Sequence, residues 1–354
     1  MTPAQPNALM RLKLLQFVLP LCLSGALVAC GDEVTSTAAD PAVTREEPLN
    51  PWERLSPEEI YGATGSDNIR LTEVEIDVLQ LPRGWDGMRI AAISDLQLGM
   101  WEDNEKVAAA AVQRALAQEP DLIVLLGDYL AVGRDTEALT RALSGLRGQR
   151  VLAVLGDRDV RNDSVEARVR RTMSELGIQL LVNDAAAFER NGDTAWIAGL
   201  APDLDQRSIA DQEFIVAVTG GPITPILLTH SPFGAARAPE GRRPVIIAGN
   251  AFCGRVEVPG TPRLSWYESE ALPNAAVPGV ERLYRIRNNT MFITCGVGYS
   301  FIPMRLGAPP EVAMITLRGM MAADQPAVDP EAAALDTILQ RYDVTETPSP
   351  AGQN

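Results

Sequence analysis

Polar groups able to hold a cation or a phosphate recur at one kind of place in this chain. Each follows a short apolar run. Ile90 to Ile93 leads into Ser94-Asp95, Leu122 to Leu126 into Gly127-Asp128, and Val151 to Leu155 into Gly156-Asp157-Arg158-Asp159. Ile226 to Leu228 leads into Thr229-His230, and Val245 to Ala248 into Gly249-Asn250. Three of these loops carry acids, one an imidazole and one an amide. Oxygen donors of this kind suit hard divalent ions. His230 is the only histidine, so mechanisms that need two imidazoles, including the His-rich zinc hydrolases, are excluded. Cys253 and Cys295 also lie just past apolar runs. They fit buried thiols, a disulfide, or a thiolate beside His230 able to bind metal or act as a nucleophile.

The elements that must position these groups are legible. The apolar runs lack helical spacing and fit strands buried on both faces. Ligand chemistry in open α/β sheets gathers at the C-terminal ends of such strands, so the loops are expected to converge. Val74, Ile76 and Val78 alternate with Glu73, Glu75 and Asp77, which predicts a half-exposed edge strand. Helices are expected after Asp103 or Asn104, carrying Val107, Ala111 and Leu116; after Thr136, carrying Leu139, Leu143 and Leu146; and after Asp163, closed by Gly177. The alternation implies a parallel sheet with helices on its faces. Beyond it, Asn191-Gly192 and Asn288-Asn289 signal hairpins, and Glu311 to Leu317 a last strand. A second, more antiparallel sheet follows, within one two-sheet domain. Gly260 to Val280 reads as a surface insertion, and Pro330 to Tyr342 as a terminal helix.

The chain carries 31 basic and 46 acidic residues, a net charge of −15. That balance argues against nucleic acid as a partner. Arg11 and Lys13 precede an apolar run from Leu14 to Leu27, closed by Val28-Ala29-Cys30. This is the layout of a secretory signal, and about 14 apolar residues fall short of the ~20 that a spanning helix needs. Leu27 to Cys30 resembles the bacterial lipobox, which implies lipid on Cys30, a lipid bilayer as partner, and a place on the periplasmic face of the cell envelope. The expected organisation is a signal over 1–29, an acidic tether over 30–56, a folded domain over 57–320, and a helix and loose tail over 321–354.

Taken together, the loops resemble the calcineurin-like metallophosphoesterases, over about Leu71 to Arg318. The resemblance extends to the bacterial membrane-associated branch linked to phosphodiester and lipid-sugar phosphate hydrolysis. The family pattern runs Asp-x-His, Gly-Asp, Gly-Asn-His-Asp, a lone His, then Gly-His-x-His. It implies an α/β fold of two packed mixed β-sheets flanked by helices, a four-layer sandwich, with two cations clamping a phosphate. Position by position, Asp95 stands at the first Asp and Gln97 replaces the His after it. Asp128 matches the bridging Asp. Asp157 replaces the Asn ligand and Arg158 the catalytic His, while Asp159 matches the next Asp. His230 matches the lone His. Asn250 and Phe252 replace the last two His, Gly254 matches a Gly, and Arg255 stands where Gln is common.

One of five family histidines survives, so a two-cation hydrolase is not expected. The resemblance leaves Asp95, Asp128, Asp157, His230 and Asn250 as metal candidates, for one Mg²⁺, Mn²⁺ or Ca²⁺ ion or for none. Arg158, with Arg255, is expected to move into the vacated space and pair with Asp95 and Asp128. The function expected is a lipid-anchored pseudo-phosphoesterase that binds a phosphate ester or an envelope protein, or serves structurally. Two alternatives stand beside it. One is a one-ion phosphoesterase with Arg158 and His230 in the catalytic machinery. The other is a thiol enzyme using Cys253 or Cys295.

Overall fold

In the computed structural model, the described residues are 68–79, 81–101, 103–131, 136–202, 226–232, 244–251, 282–286, 289–299, 305 and 308–320. They form two six-stranded sheets. The first runs in the order β1 (Arg70–Leu79), β12 (Glu311–Met320), β2 (Arg89–Ile93), β3 (Leu122–Leu126), β4 (Val151–Val154), β5 (Gln179–Leu180). All its neighbours are parallel except β12 and β2. The second runs β10 (Leu283–Ile286), β11 (Asn289–Ile293), β9 (Val245–Ala248), β8 (Ile226–Thr229), β7 (Asp193–Gly199), β6 (Asp184–Arg190). Its two edges are antiparallel hairpins, β10–β11 and β6–β7, at the positions the Asn pairs indicated. Between them β11, β9, β8 and β7 pair in parallel.

Side-chain period explains the layering. On β1, Val74, Ile76 and Val78 are buried while Glu73, Glu75 and Asp77 are exposed, and the strand lies at a sheet edge. The central strands are buried throughout. One face of the first sheet offers Ala91, Ile93, Ile123, Leu125 and Ala153 to three helices: α1 (Asp103–Leu116), α2 (Thr136–Leu143) and α3 (Asp163–Leu176). The other face offers Ile90, Ala92, Leu122, Val124 and Leu126 to Ile197, Ile226, Leu228, Val245, Ile247 and Phe292 of the second sheet. Each buried aliphatic side chain contributes about 1.5–3 kcal/mol, so this inter-sheet core fixes how the strand ends align.

All three helices begin at or before the residue expected to cap them: Asp103 and Thr136 are already helical. Asn162, not Asp163, caps α3: its Oδ1 accepts from the Ser164 and Val165 amides, both at 3.0 Å. Asp163 becomes the first helical residue, where its charge favours the helix N-terminus. Thr136 likewise opens α2 from inside. Gly177 ends α3 at φ +74°, as its lack of a side chain allows. The signal and tether, the 260–280 insertion, the 330–342 helix, and Cys30, Phe252, Cys253, Gly254 and Arg255 lie outside the described residues.

Candidate functional site

The loops after β2, β3, β8 and β9 converge. Asp95, Gln97, Asp128 and Asn250 all take left-handed backbone conformations, with φ of +58°, +52°, +57° and +64°. Each such residue costs on the order of 1 kcal/mol or more and persists only where its surroundings hold it. Here the hold is explicit. The Asp95 amide donates to Gly127 O at 3.0 Å and the Gln97 amide to Asp128 O at 3.0 Å. Gly298 N donates to Asp95 O at 2.7 Å, and Val297 N to Ser94 O at 2.9 Å. Two glycines permit this crowding. A Cβ on Gly156 would lie 2.3 Å from Asp128 N, and one on Gly249 would lie 2.0 Å from Ser94 Oγ.

Asp159 is the clamp beneath. Fully buried, it accepts from Asp128 N at 2.8 Å and Gly156 N at 2.9 Å through Oδ2, and from Tyr129 N at 3.0 Å through Oδ1. It thereby ties the β3 and β4 loops together. Burial, then the Asp128 charge, pushes its carboxyl up to about 7 against the pull of the amide donors.

Above the clamp, Asp95 Oδ2 accepts from the Asn250 backbone N–H at 2.9 Å and from the Ser94 hydroxyl. Asn250 therefore reaches the site through its backbone N–H. Asp128 is engaged on both oxygens. Oδ1 accepts from Arg158 N at 2.9 Å, and Oδ2 accepts from Gln97 Nε2 at 2.8 Å. The Arg158 Nε lies 3.2 Å from Oδ2, with a side chain only 9% exposed. The guanidinium is thus drawn in against Asp128, not turned to solvent. His230 Nδ1 sits 2.7 Å from Leu126 O, which can only accept, so that nitrogen carries the proton. Its Nε2 points back to Asp128 Oδ1 at 3.5 Å.

Among the described residues, the buried atoms Asp95 Oδ1, Gln97 Oε1 and His230 Nε2 make no hydrogen bond, the last lying 3.5 Å from Asp128 Oδ1. Buried polar groups are nearly always satisfied, so orphans clustered at one place point to a missing partner. Ligand atoms of Asp95, Asp128 and His230 lie within 4.8 Å of one another. Burial raises the Asp95 carboxyl above its ordinary value; His230 opposes this and Asp128 adds to it. Burial would lower the His230 imidazole, but the Asp128, Asp95 and Asp157 carboxylates outweigh it and carry it up to about 9. Asp157 thus acts on His230 through its field.

Among the described residues, these donors fit one divalent cation. Asp95 Oδ1 and His230 Nε2 are available beside Asp128. A second cation against Asp128 Oδ2 would meet the Gln97 amide and the Arg158 guanidinium, both donors. Gln97, which stands in place of a family His, serves as a hydrogen-bond donor to Asp128, a role not visible in the sequence. Of the alternatives for the two cysteines, the disulfide holds at Cys295, and Cys253 lies outside the described residues. Cys295 is disulfide-bonded and fully buried, so it brings no thiolate to His230.

Residues 88–235 match the family model described as calcineurin-like phosphoesterase. A transmembrane protein with metallophosphoesterase domain from Danio rerio is 27% identical over 282 residues, covering 73% of this chain and 60% of that protein. A protein of the same description from Bos taurus is 26% identical over 268 residues, covering 70% of this chain and 57% of that one. This chain therefore spans less than two thirds of the length of either. The uncharacterized metallophosphoesterase YkuE of Bacillus subtilis (strain 168) is 24% identical over 258 residues, covering 71% of this chain and 86% of YkuE. The matched span contains Asp95, Asp128, Asp157, Arg158, Asp159 and His230, the same groups that the strand ends bring together, and the chain carries a calcineurin-like metallophosphoesterase domain.

Proposed function

We propose that this chain is a membrane-tethered pseudo-phosphoesterase: it keeps the fold and one cation position, binds a phosphate ester or an envelope partner, and does not hydrolyse. The observation that carries this reading is the engagement of Asp128 Oδ2 by Gln97 Nε2 at 2.8 Å and Arg158 Nε at 3.2 Å. A carboxylate that bridges two cations must turn lone pairs to both; one oxygen of this one faces the Gln97 amide and the Arg158 guanidinium, and the other accepts the Arg158 backbone N–H. A buried guanidinium keeps its charge, so Arg158 replaces part of the positive charge that a second cation would bring. A divalent cation held by Asp95, Asp128 and His230 would supply Lewis-acid polarisation of a phosphoryl oxygen. Within that arrangement, Asp159 and Gly156 orient the Asp128 backbone, Asn250 and Ser94 orient Asp95, and Leu126 orients His230.

The tether rests on the Arg11 to Cys30 pattern, and two relatives described as transmembrane proteins agree with a membrane setting. Among the described residues, no helix is long and apolar enough to cross a membrane. Elemental analysis of the purified protein, with a phosphodiester assay run with and without Mn²⁺, tests the reading. Expected are no more than one cation per chain and no turnover. The competing reading is a one-ion phosphoesterase in which Arg158 holds the phosphate. It is favoured by Asp95 Oδ1 and His230 Nε2, which make no hydrogen bond among the described residues. Mn²⁺-dependent turnover that disappears in Asp128→Ala would establish it and overturn the first.

A further inference from the structure

Asp95 sits between two turns from distant parts of the chain. On one side is the loop after β2, where Gln97 takes its left-handed conformation and donates its backbone N–H to Asp128 O at 3.0 Å. On the other side is the segment after β11. Val297 N donates to Ser94 O at 2.9 Å and Gly298 N to Asp95 O at 2.7 Å, and a Cβ on Gly296 would lie 2.9 Å from the Asp95 Cβ. Segment 295–298 is thus the buttress behind Asp95. It is held in turn by Glu311, whose Oε1 accepts from Cys295 N at 3.2 Å and whose N donates to Gly296 O at 3.1 Å. Arg305, also buried, donates to Gly298 O through Nε at 3.1 Å and Nη2 at 2.8 Å.

One side chain outside the site joins the two turns. Asn104 is fully buried in the first turn of α1. Its Nδ2 donates to Gln97 O at 2.7 Å and to Tyr299 O at 3.0 Å, and its Oδ1 accepts from Tyr299 N at 2.9 Å. An Asn side chain offers two donor hydrogens and one carbonyl, and here all are spent on backbone. None of the three bonds caps α1 itself. A buried amide in a helix is disfavoured unless its hydrogen bonds are made, so these bonds are what keep it there. A closed ring follows, from Asp95 to Gln97, Asn104, Tyr299, Gly298 and back to Asp95. It fixes the Asp95 backbone from both sides, while Asn250 N and the Ser94 hydroxyl hold Oδ2.

We propose that Asn104 is a positioning residue of the cation site: by tying Gln97 to Tyr299 it sets where Asp95 presents Oδ1. The proposal rests on the reading that Asp95, Asp128 and His230 hold one cation. Asn104 bonds only to backbone, so it acts through the two turns and not on a ligand. Its removal releases Gln97 from a left-handed conformation that costs on the order of 1 kcal/mol, and it releases Tyr299 from α1. Both turns beside Asp95 then relax, and the donor set loses its preorganisation. Thermodynamic linkage makes the effect reciprocal: a cation that binds the aligned site also stiffens the ring.

The test compares the full-length wild type with Asn104→Ala and with Leu139→Ala, a core change on α2 that lowers stability without touching either turn. Mn²⁺ is titrated by calorimetry, and amide exchange at Val297 and Gly298 is followed without metal. Asn104→Ala is expected to bind Mn²⁺ about tenfold more weakly, a loss that corresponds to ~1.4 kcal/mol, and to exchange faster at both amides. Leu139→Ala is expected to keep wild-type affinity. Asn104→Ser retains one donor and is expected to fall between wild type and Asn104→Ala, which supplies the folded variant if the alanine change unfolds the chain. Wild-type affinity in the Asn104 variants overturns the proposal, as does an equal loss in Leu139→Ala or unchanged exchange at the two amides. A wild type that takes up no Mn²⁺ overturns the cation reading itself, a result distinct from the other three.

Discussion

Two buried acid clusters are joined by the 295–298 segment, and they are finished differently. At Glu311, Oε1 accepts from Arg282, Thr294 Oγ1 and Cys295 N, and Oε2 accepts from Arg282 and Thr72 Oγ1 with Arg70 close by. Burial alone would raise this carboxyl; the Arg282 charge outweighs it and holds it below its ordinary value. At Asp95 the balance is reversed. One oxygen is satisfied, the other is not, and burial dominates. An acid that serves the fold is saturated by its own chain, while an acid that serves a ligand keeps an oxygen in reserve. Asp128 falls between them, because Gln97 and Arg158 have taken up what a second cation would have used.

The sharpest way to break this contrast is to remove each acid. Glu311→Ala strands the buried Arg282 charge and is expected to destabilise the protein by about 3–5 kcal/mol in chemical denaturation. A loss under 1 kcal/mol would mean that the cluster is not structural. The same residue sets an acid limb. Its folded-state pKa is lowered, so its contribution is complete above the unfolded value near 4.5 and fades as the pH falls through the folded one. Melting curves of Glu311→Gln are expected to lose that limb.

Next in size is Asp159→Ala. Losing the acceptor for four buried amides is expected to cost about 3 kcal/mol, together with cation affinity, because Asp128 loses its backbone hold. Wild-type affinity in a destabilised variant would separate the clamp from the site. Smaller again is Gln97→His, at a left-handed position that His tolerates. It returns a nitrogen donor and is expected to tighten Zn²⁺ or Mn²⁺ binding about tenfold, ~1.4 kcal/mol, by calorimetry. No gain would show that Arg158 alone bars the second position. The smallest effect is expected from Asp95→Asn without added metal. Removing a charge that burial disfavours should raise stability by about 1 kcal/mol while abolishing cation binding. A loss of stability would place Asp95 with Glu311.

Much of the fold could be read from the sequence, because the apolar runs of β3, β8 and β9 stop where their Gly-Asp, Thr-His and Gly-Asn loops begin. Alternation marked β1 as an edge, and turn chemistry marked both hairpins. Its partner was not legible: β1 pairs in parallel with β12, a contact between distant segments that no local pattern encodes. At the site, strand-end position and family spacing brought Asp95, Asp128, Arg158 and His230 together on paper. Long-range donors remained hidden. Nothing local says that Gln97 turns its amide to Asp128, that Asp159 spans two loops, or that Glu311 and Arg282 form a pair. Each depends on how the sheets close on one another.

That pairing of β1 with β12 has a kinetic side. Arg70 meets Glu311, and among the described residues β1 has no other strand beside it in its sheet. A chain emerging amino end first therefore carries an unpaired strand with one apolar face through most of its synthesis, until β12 arrives. Long-range closure of this kind is slow and leaves a sticky intermediate, so escort by a holding chaperone should matter more for this protein than its final stability would indicate.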